Sequence, residues 1–287
     1  MKICVTGASG KAGQAVVAEL VAHGYKVHAT DLARPALDSP ADGYEVMFTQ
    51  ADLTDYGQAA EVLAGMDAVV HLANIPAPGL RPPAVTFNEN ITMNYNVFSA
   101  AAVTAGLNRV VWASSETTLG LPFDNPPRYA PVDEDHYPVP TTSYALSKVA
   151  SETVAGHIAQ WSGLPFIALR FSNIMAPEDY QRFAEFQDDP HARKWNLWGY
   201  IDQRDVALSC RLALEADAGT VTGNPAFIIA AADTVMNRPS AELLAEVFPG
   251  VRLTRDVGES GTLLAIDRAR EVLGFHPEHS WRDHVTL

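Results

Sequence analysis

The sequence predicts an α/β fold built on a parallel, doubly wound sheet, and two observations lead to that prediction. Short apolar runs alternate along the chain with stretches of helical periodicity. The apolar runs are nearly continuous, which is typical of parallel strands covered on both faces. Right-handed crossovers would place the loop after each strand along one edge of the sheet, where ligands bind.

Seven apolar runs are predicted as strands: residues 2–6, 26–30, 46–48, 68–72, 110–113, 166–169 and 226–229. One helix is expected at 12–23, and another is expected to begin at Thr141 or Thr142. Residues 121–140 contain six prolines, which predicts an irregular loop beside the ligand edge. The pattern becomes less regular from Met175 onward, which predicts a small C-terminal capping subdomain.

The charge and cysteine content exclude several classes of partner. The 287 residues include 20 basic and 34 acidic side chains, for a net charge of -14. This excess repels nucleic acid and anionic lipid surfaces, so neither is expected as a partner. No apolar run has the length of a membrane span and no signal-peptide core follows Met1, so we expect a cytoplasmic protein. Cys4 and Cys210 are expected to be buried thiols, without a disulfide or metal.

A glycine-rich segment directly follows the first predicted strand. Gly7, Gly10 and Gly13 are spaced three residues apart between that strand and the first helix. Such a segment either only turns the chain, or lets backbone amides and the positive end of the helix dipole hold a pyrophosphate. The strand–turn–helix setting favours the second interpretation, a Rossmann-type dinucleotide-binding domain.

Asp31 ends the second predicted strand, 18 residues after Gly13. A carboxylate at this position accepts hydrogen bonds from ribose hydroxyls and repels a 2′-phosphate, which favours NAD over NADP. Two alternatives stay open, because Asp31 could instead cap a loop and the nearby Arg34 could accommodate the phosphate.

Proton-transfer chemistry is predicted at Ser115, Tyr144 and Lys148. Tyr144 and Lys148 are four residues apart and therefore lie one turn apart on one helix face. The ammonium is expected to lower the pKa of the phenol, which can then take a proton from a substrate hydroxyl. Ser115 ends the fifth predicted strand and can bond the same oxygen. The structural alternatives are an accidental helical pair and, for Ser114 and Ser115, a turn or a helix cap.

Together these segments resemble the NAD-dependent epimerase/dehydratase family of extended short-chain dehydrogenases/reductases. The similar positions are 6–13, Asp31, 52–53, 71–73, Asn90, 113–115, Gly120, Tyr144, Lys148, 169–173, 202–207 and 265–277. The resemblance implies an NAD-binding Rossmann domain over residues 1–172. It also implies a smaller substrate-binding region over 173–287, with interleaved return strands and helices.

The resemblance also implies roles for individual residues. Tyr144 would be the catalytic acid/base, Lys148 its pKa modulator and a ribose ligand, and Ser115 the partner of the reacting oxygen. Asn90 would support the proton relay. The implied cofactor-binding residues are Gly7, Ser9, Gly10, Lys11, Ala12, Gly13, Asp31, Leu32, Asp52, Leu53, Leu72, Ala73, Asn74, Asn90, Ala113, Ser114, Tyr144, Lys148 and Phe171. The expected substrate-binding residues are Ser115, Glu116, Asn173 and Arg182.

Departures from the family pattern narrow the expected substrate. The family's sugar-nucleotide dehydratases have an Asp-Glu pair where this chain has Glu116 and Thr117, so the base for water elimination is missing. The region after Asn173 is small for enclosing a nucleoside diphosphate. This favours an unactivated sugar or sugar acid as the substrate.

The region after Asn173 is similar to that of the family's uronate dehydrogenases. Pro177 and Glu178 are followed closely by Tyr180 and Arg182. Arg182 is expected to bind a substrate carboxylate in bidentate fashion, with a solvated loop arginine as the alternative.

The predicted function is hydride transfer between NAD and a secondary alcohol of a sugar or sugar acid. One alternative is a nucleotide-sugar epimerase, which returns the hydride to the opposite face of the ketone. A second is a non-catalytic dinucleotide-binding regulator, although such proteins typically lose the Tyr and the Lys. No metal is expected, and Trp195 and Trp198 are expected in the core rather than in a sugar pocket.

A homodimer is expected from the resemblance. Family members often dimerise through two helices, which are here the one after Met93 and the one bearing Tyr144. Their expected second apolar face consists of Ala100, Ala101, Val103, Val149, Val154 and Ile158, with a fully buried helix as the alternative that would show the same pattern.

Overall fold

The computed structural model describes residues 1–34, 46–136 and 138–285. Its strands are β1 Lys2–Thr6, β2 Lys26–Asp31, β3 Met47–Gln50, β4 Ala68–His71, β5 Arg109–Ser115, β6 Tyr129–Ala130, β7 Phe166–Phe171, β8 Ile174–Met175, β9 Ile201–Asp202, β10 Ala226–Ile229 and β11 Arg252–Leu253. Seven of them form a parallel sheet in the order β10-β7-β5-β4-β1-β2-β3. The predicted parallel α/β sheet is therefore confirmed.

Helices cover both faces of the sheet. The α-helices are α1 Lys11–Ala22, α2 Tyr56–Leu63, α3 Pro83–Val103, α4 Ser143–Ser162, α5 Gln203–Glu215, α6 Ser240–Val247 and α7 Asp267–Leu273. Four 3-10 helices complete the described part of the chain: η1 Glu116–Leu119, η2 Pro177–Phe186, η3 Lys194–Asn196 and η4 Trp281–Asp283. Successive strand residues face opposite layers, so that Ile3 and Val5 pack with α1 and α5 while Cys4 packs with α2, α3 and α4.

Two local predictions that position the site are confirmed. The strand β5 ends at Ser115, at the carboxyl edge of the sheet. The helix α4 begins directly after Thr142, whose hydroxyl accepts a hydrogen bond from the amide of Ala145 at 3.0 Å. Such an N-cap satisfies a backbone amide that has no partner within the helix.

The C-terminal part of the chain contributes both to the sheet and to a separate cap. The helix α5 packs beside α1, and β10 pairs with β7. Most of the remaining buried apolar C-terminal residues pack with Phe123 in a second hydrophobic cluster that includes Tyr180, Trp198 and Trp281. This cluster includes Leu121, which follows β5 closely, so the cap lies at the carboxyl edge of the sheet.

Half of the residues in the expected second apolar face of α3 and α4 are buried within the protomer. Ala100, Ala101 and Ile158 pack against the sheet, and their exposed fractions are 1% or less. Val149 and Val154 are half-buried, whereas Val103 is exposed. The prediction was wrong for the three buried residues, because helix periodicity does not tell the face toward the sheet from an outer apolar face.

Within the described ranges, no helix is both long and apolar enough to cross a membrane. Cys4 and Cys210 are free, buried thiols, as expected.

Candidate active site

A cleft of about 1250 Å³ opens at the carboxyl edge of the sheet, between the strand ends and the cap. Most of the residues that the sequence assigns to the cofactor and substrate line it: Gly7, Ser9, Gly10, Lys11, Ala12, Gly13, Asp31, Leu32, Asp52, Leu53, Leu72, Ala73, Asn74, Ala113, Ser114, Ser115, Glu116, Tyr144, Lys148, Phe171 and Asn173. Asn90 and Arg182 are not among the lining residues.

The glycine-rich loop brings the N-terminus of α1 to the cleft. Gly7 has φ 67°, and a Cβ there would lie 2.7 Å from the amide nitrogen of Ala73. A Cβ on Gly13 would lie 2.1 Å from the carbonyl oxygen of Gly7, so the loop and the helix pack too closely for any side chain. The N-cap residue Gly10 has no side chain that could cap the first amides of α1. These amides are available to an anion, which fits a dinucleotide pyrophosphate.

Asp31 lies at the cleft with its carboxylate held by the backbone. The amide of Ser9 donates to one oxygen at 2.8 Å, and the amide of Leu32 donates to the other at 2.7 Å. A carboxylate has about four acceptor sites, so capacity remains for ribose hydroxyls. The Arg34 guanidinium lies over the ring of Phe48, 5.7 Å from its centroid.

Ser115, Tyr144 and Lys148 lie together, and each is less than a tenth exposed. Ser115 accepts hydrogen bonds from the amide of Thr117 at 3.2 Å and from its hydroxyl at 3.0 Å, so it also caps η1. The Lys148 ammonium lies 5.7 Å from the centroid of the Tyr144 ring. The hydroxyl of Ser114 instead donates to Glu152 at 2.6 Å.

The pKa values of this group differ from the sequence-based expectation. Burial raises the pKa of Tyr144 to about 12, although a hydrogen bond with Ser115 acts in the opposite direction. The carboxylate of Glu116 contributes to the rise. Burial also lowers the pKa of Lys148 to about 7, against the charge of Glu152. The expected lowering of the Tyr144 pKa is not found, because burial favours the neutral forms of both groups.

A buried chain of amides holds Lys148. Its ammonium donates to Asn74 Oδ1 at 2.9 Å and to the carbonyl of Ala113 at 2.6 Å. Asn74 in turn donates to Asn94 Oδ1 at 2.8 Å, and Asn94 donates to the hydroxyl of Ser151 at 2.7 Å. Asn94 is therefore the residue on α3 that connects to Lys148 through its side chain.

Asn90 lies one helical turn before Asn94 and has a different partner. Its amide group donates to the carbonyl of Ile75 at 3.1 Å and accepts from the amide of Ile75 at 2.7 Å. It therefore fixes the loop after β4 and does not line the cleft. Its amide also donates to the hydroxyl of Ser147 at 3.5 Å. Its expected contact with the cofactor and its expected part in the proton relay stay predictions.

Arg182, the expected carboxylate ligand, is exposed on η2. Its charge acts on Asp179, which also pairs with Lys11 at the start of α1. The structure therefore places Arg182 outside the cleft.

Residues that the sequence analysis did not assign to the site complete the substrate end of the cleft. Trp195 is half-buried: it packs against the second hydrophobic cluster, as expected, and also lines the cleft, whereas Trp198 is fully buried as expected. Ser172 and Asn196 donate to Glu116. Trp195 and Asn196 lie in an irregular segment without periodicity, so no sequence pattern indicated their positions.

This fold and this site define a dinucleotide-binding α/β enzyme with a Ser–Tyr–Lys set at the carboxyl edge of its sheet. The chain belongs to the NAD dependent epimerase/dehydratase family, whose model matches residues 3–221. The predicted family, fold and NAD dependence are thereby confirmed.

Two curated relatives and one solved structure illustrate the range of similar proteins. The chain is 26% identical to the UDP-glucose 4-epimerase of Lacticaseibacillus casei, over 99% of this chain and 94% of the relative. It is 28% identical to the NAD-dependent glucose-6-phosphate dehydrogenase of Haloferax volcanii, over 63% of this chain and 72% of the relative. A mutated uronate dehydrogenase shares the fold with a TM-score of 0.69 and 20% identity, over 98% of this chain and 84% of that one.

Proposed function

We propose that the protein oxidises a secondary alcohol of a sugar and passes the hydride to NAD. One observation carries the proposal: Ser115, Tyr144 and Lys148 line the same cleft as the uncapped N-terminus of α1 and the carboxylate of Asp31. An alcohol and a dinucleotide can therefore meet in one cavity. Residues 1–172 would hold the cofactor and 173–287 would close over the sugar, in a protein that we propose to be cytoplasmic.

Each of the three residues has a defined part in proton transfer. Ser115 orients the reacting hydroxyl through a hydrogen bond, and Tyr144 takes its proton as general base. Lys148, protonated, stabilises the phenolate and binds ribose hydroxyls. When bound, NAD would supply the hydride acceptor and a positively charged ring that favours the phenolate. Burial of Tyr144 and Lys148 excludes water from the proton-transfer step.

A nucleotide-sugar epimerase is the second candidate, favoured by the epimerase relative that matches almost the full chain. The small cap and the dehydrogenase relative from Haloferax volcanii favour net oxidation. A regulator without activity is disfavoured, because it would not need the buried tyrosine and lysine. A panel of sugars, sugar acids and nucleotide sugars with NAD separates the three. Release of free NADH indicates a dehydrogenase. Formation of product isomers without free NADH indicates an epimerase, and the absence of both products indicates a regulator.

The protein should bind NAD at least about tenfold more tightly than NADP, because the Asp31 carboxylate would repel a 2′-phosphate. The Asp31→Asn variant keeps an acceptor for the amide of Ser9 and loses the charge. The ratio of its affinities for NAD and NADP should therefore fall toward one. Fluorescence titration of both cofactors against both proteins measures the two ratios. Equal affinities in the wild-type protein would contradict the assignment of Asp31.

The protein should form a homodimer through the outer surface of α3 and α4. Tyr95, Val103 and Trp161 are between 52% and 74% exposed and line one groove with Tyr56. Contiguous exposed aromatic and apolar side chains are typical of a protein interface. Light scattering should give twice the 31.0 kDa chain mass, and Trp161→Glu should give the monomer because it buries a charge in the interface. A wild-type monomer at micromolar concentration would overturn the proposal.

A further inference from the structure

We propose that Glu116 selects the substrate: its carboxylate accepts a hydrogen bond from a neutral hydroxyl beside the reacting one, so the enzyme prefers neutral sugars to sugar acids. This inference rests on the proposed function and names the class of sugar that the same cleft takes.

The position of Glu116 in the sequence places it beside the reacting residues. It directly follows Ser115, lines the cleft, and is 3% exposed. Ser172 donates its hydroxyl to Oε2 at 2.6 Å, and Asn196 donates its amide to Oε1 at 3.2 Å. Both oxygens are therefore held in place. The backbone of Asn173 also bonds to this carboxylate. A carboxylate accepts about four hydrogen bonds, so with three partners in place it keeps capacity for one donor from the cleft.

The segment that brings Asn196 to Glu116 is held in a strained conformation. Leu197 and Trp198 have φ 54° and 57°, which is uncommon for residues with a Cβ. The buried Trp198 donates its indole N–H to the carbonyl of Pro190 at 2.7 Å. Strain of this kind persists only where the surroundings impose it, and it concentrates at functional sites. Here it fixes the partner of a buried carboxylate.

The burial and the charge of Glu116 disfavour a second carboxylate beside it. The charge of Arg193 lowers the pKa of Glu116. Within the described ranges no ion pair joins the two side chains, and the guanidinium of Arg193 instead lies 5.1 Å from the centroid of the Trp195 ring. The charge of Glu116 also acts on Tyr144 and raises the pKa of its phenol. Burial already raises the pKa of Glu116 to about 7. An acidic substrate would add like charge to this site, whereas a hydroxyl donates a hydrogen bond without one.

The ionisation of Glu116 gives a first test that does not depend on activity. Its pKa in the folded protein, about 7, lies above the ordinary value of 4.5. The folded state therefore binds the proton of Glu116 more tightly than the unfolded state does. The stability that this proton contributes is lost as the pH rises through 7. Glu116→Gln should therefore raise the melting temperature relative to the wild type by about 2–4 °C more at pH 8 than at pH 5. A difference independent of pH would overturn the placement of Glu116 as a buried carboxylate.

The decisive experiment compares matched pairs of sugars, D-glucose with D-glucuronate and D-galactose with D-galacturonate. Binding to the NAD complex is measured by calorimetry at pH 8 for the wild type, Glu116→Gln and the control Glu178→Gln, an exposed carboxylate of the cap. The neutral sugar should bind at least about tenfold more tightly than its acid to the wild type and to the control. In Glu116→Gln, the neutral sugar should bind more weakly and the acid more tightly.

The outcomes separate this inference from the proposed function. Tighter binding of the acids, or an unchanged ratio in Glu116→Gln, refutes the selection by Glu116 even if NAD is reduced. Binding in the expected order without reduction of NAD supports the selection and refutes the proposed oxidation. Binding of no sugar from either pair refutes the selection.

Discussion

Replacing Tyr144 by phenylalanine should lower turnover by about 100- to 10,000-fold, the usual worth of general acid–base catalysis. The change removes the hydroxyl that takes the substrate proton and keeps the ring, which is 7% exposed and packed at the cleft. Affinity for NAD should therefore stay within about twofold, since the proposed cofactor contacts of Lys148 and Asp31 are retained. Steady-state rates on the best sugar of the panel and fluorescence titration of NAD give the two numbers.

The matched control is Tyr25→Phe. The hydroxyl of Tyr25, just beyond the C-terminal end of α1, donates to Glu215 at 2.8 Å, and Tyr25 does not line the cleft. This variant should keep the wild-type rate. If Tyr144→Phe also kept most of the activity, Tyr144 would be only a packed helical aromatic, and the catalytic assignment of the three residues would be wrong.

Replacing Lys148 by methionine should lower turnover by about 100-fold and also weaken NAD binding by about tenfold. The first effect follows because the phenolate of Tyr144 loses the neighbouring cation. The second follows because the ammonium, now donating to Asn74 and Ala113, is proposed to bind the ribose. The loss of cofactor affinity distinguishes this variant from Tyr144→Phe.

Lys26→Met is the control for Lys148→Met, because Lys26 is exposed at the start of β2 and does not line the cleft. It should match the wild type in both rate and NAD affinity. Thermal melting of both variants shows whether the fold is intact. A folded Lys148→Met protein with unchanged NAD affinity would refute the ribose contact, and one with unchanged turnover would refute the role as pKa modulator.

The sequence predicted the features of the site that depend on strand order and local spacing. Ser115 directly follows a short apolar run, which places it at the carboxyl edge of the sheet. Tyr144 lies in the first turn of a helix that begins after Thr142, which places it at the same edge. The glycine spacing predicted a tight turn that brings backbone amides to the ligand edge, and a Cβ on Gly13 would lie only 2.1 Å from the carbonyl oxygen of Gly7. These features follow from short stretches of chain and general rules of parallel sheets.

The residues that sequence reasoning missed depend on contacts between distant segments. Asn90 and Asn94 are one turn apart on α3, and only the packing of α3 against the loop after β4 brings Asn94 to Asn74, which binds Lys148. Asn196 meets Glu116 from a separation of 80 residues. The pKa of Tyr144 was misjudged for a similar reason, because the spacing shows a nearby lysine but not the burial of both groups.

The measurement that tests the central claim most directly follows the hydrogen atom itself. A sugar from the panel that is oxidised, labelled with deuterium at the carbon that bears the reacting hydroxyl, is incubated with the protein and NAD, and the nicotinamide is analysed by mass spectrometry. We expect reduced nicotinamide that carries the deuterium in the wild type and, within the same time, almost none in Tyr144→Phe. Unlabelled reduced nicotinamide, or no reduced nicotinamide with any sugar of the panel, would contradict direct hydride transfer in this cleft.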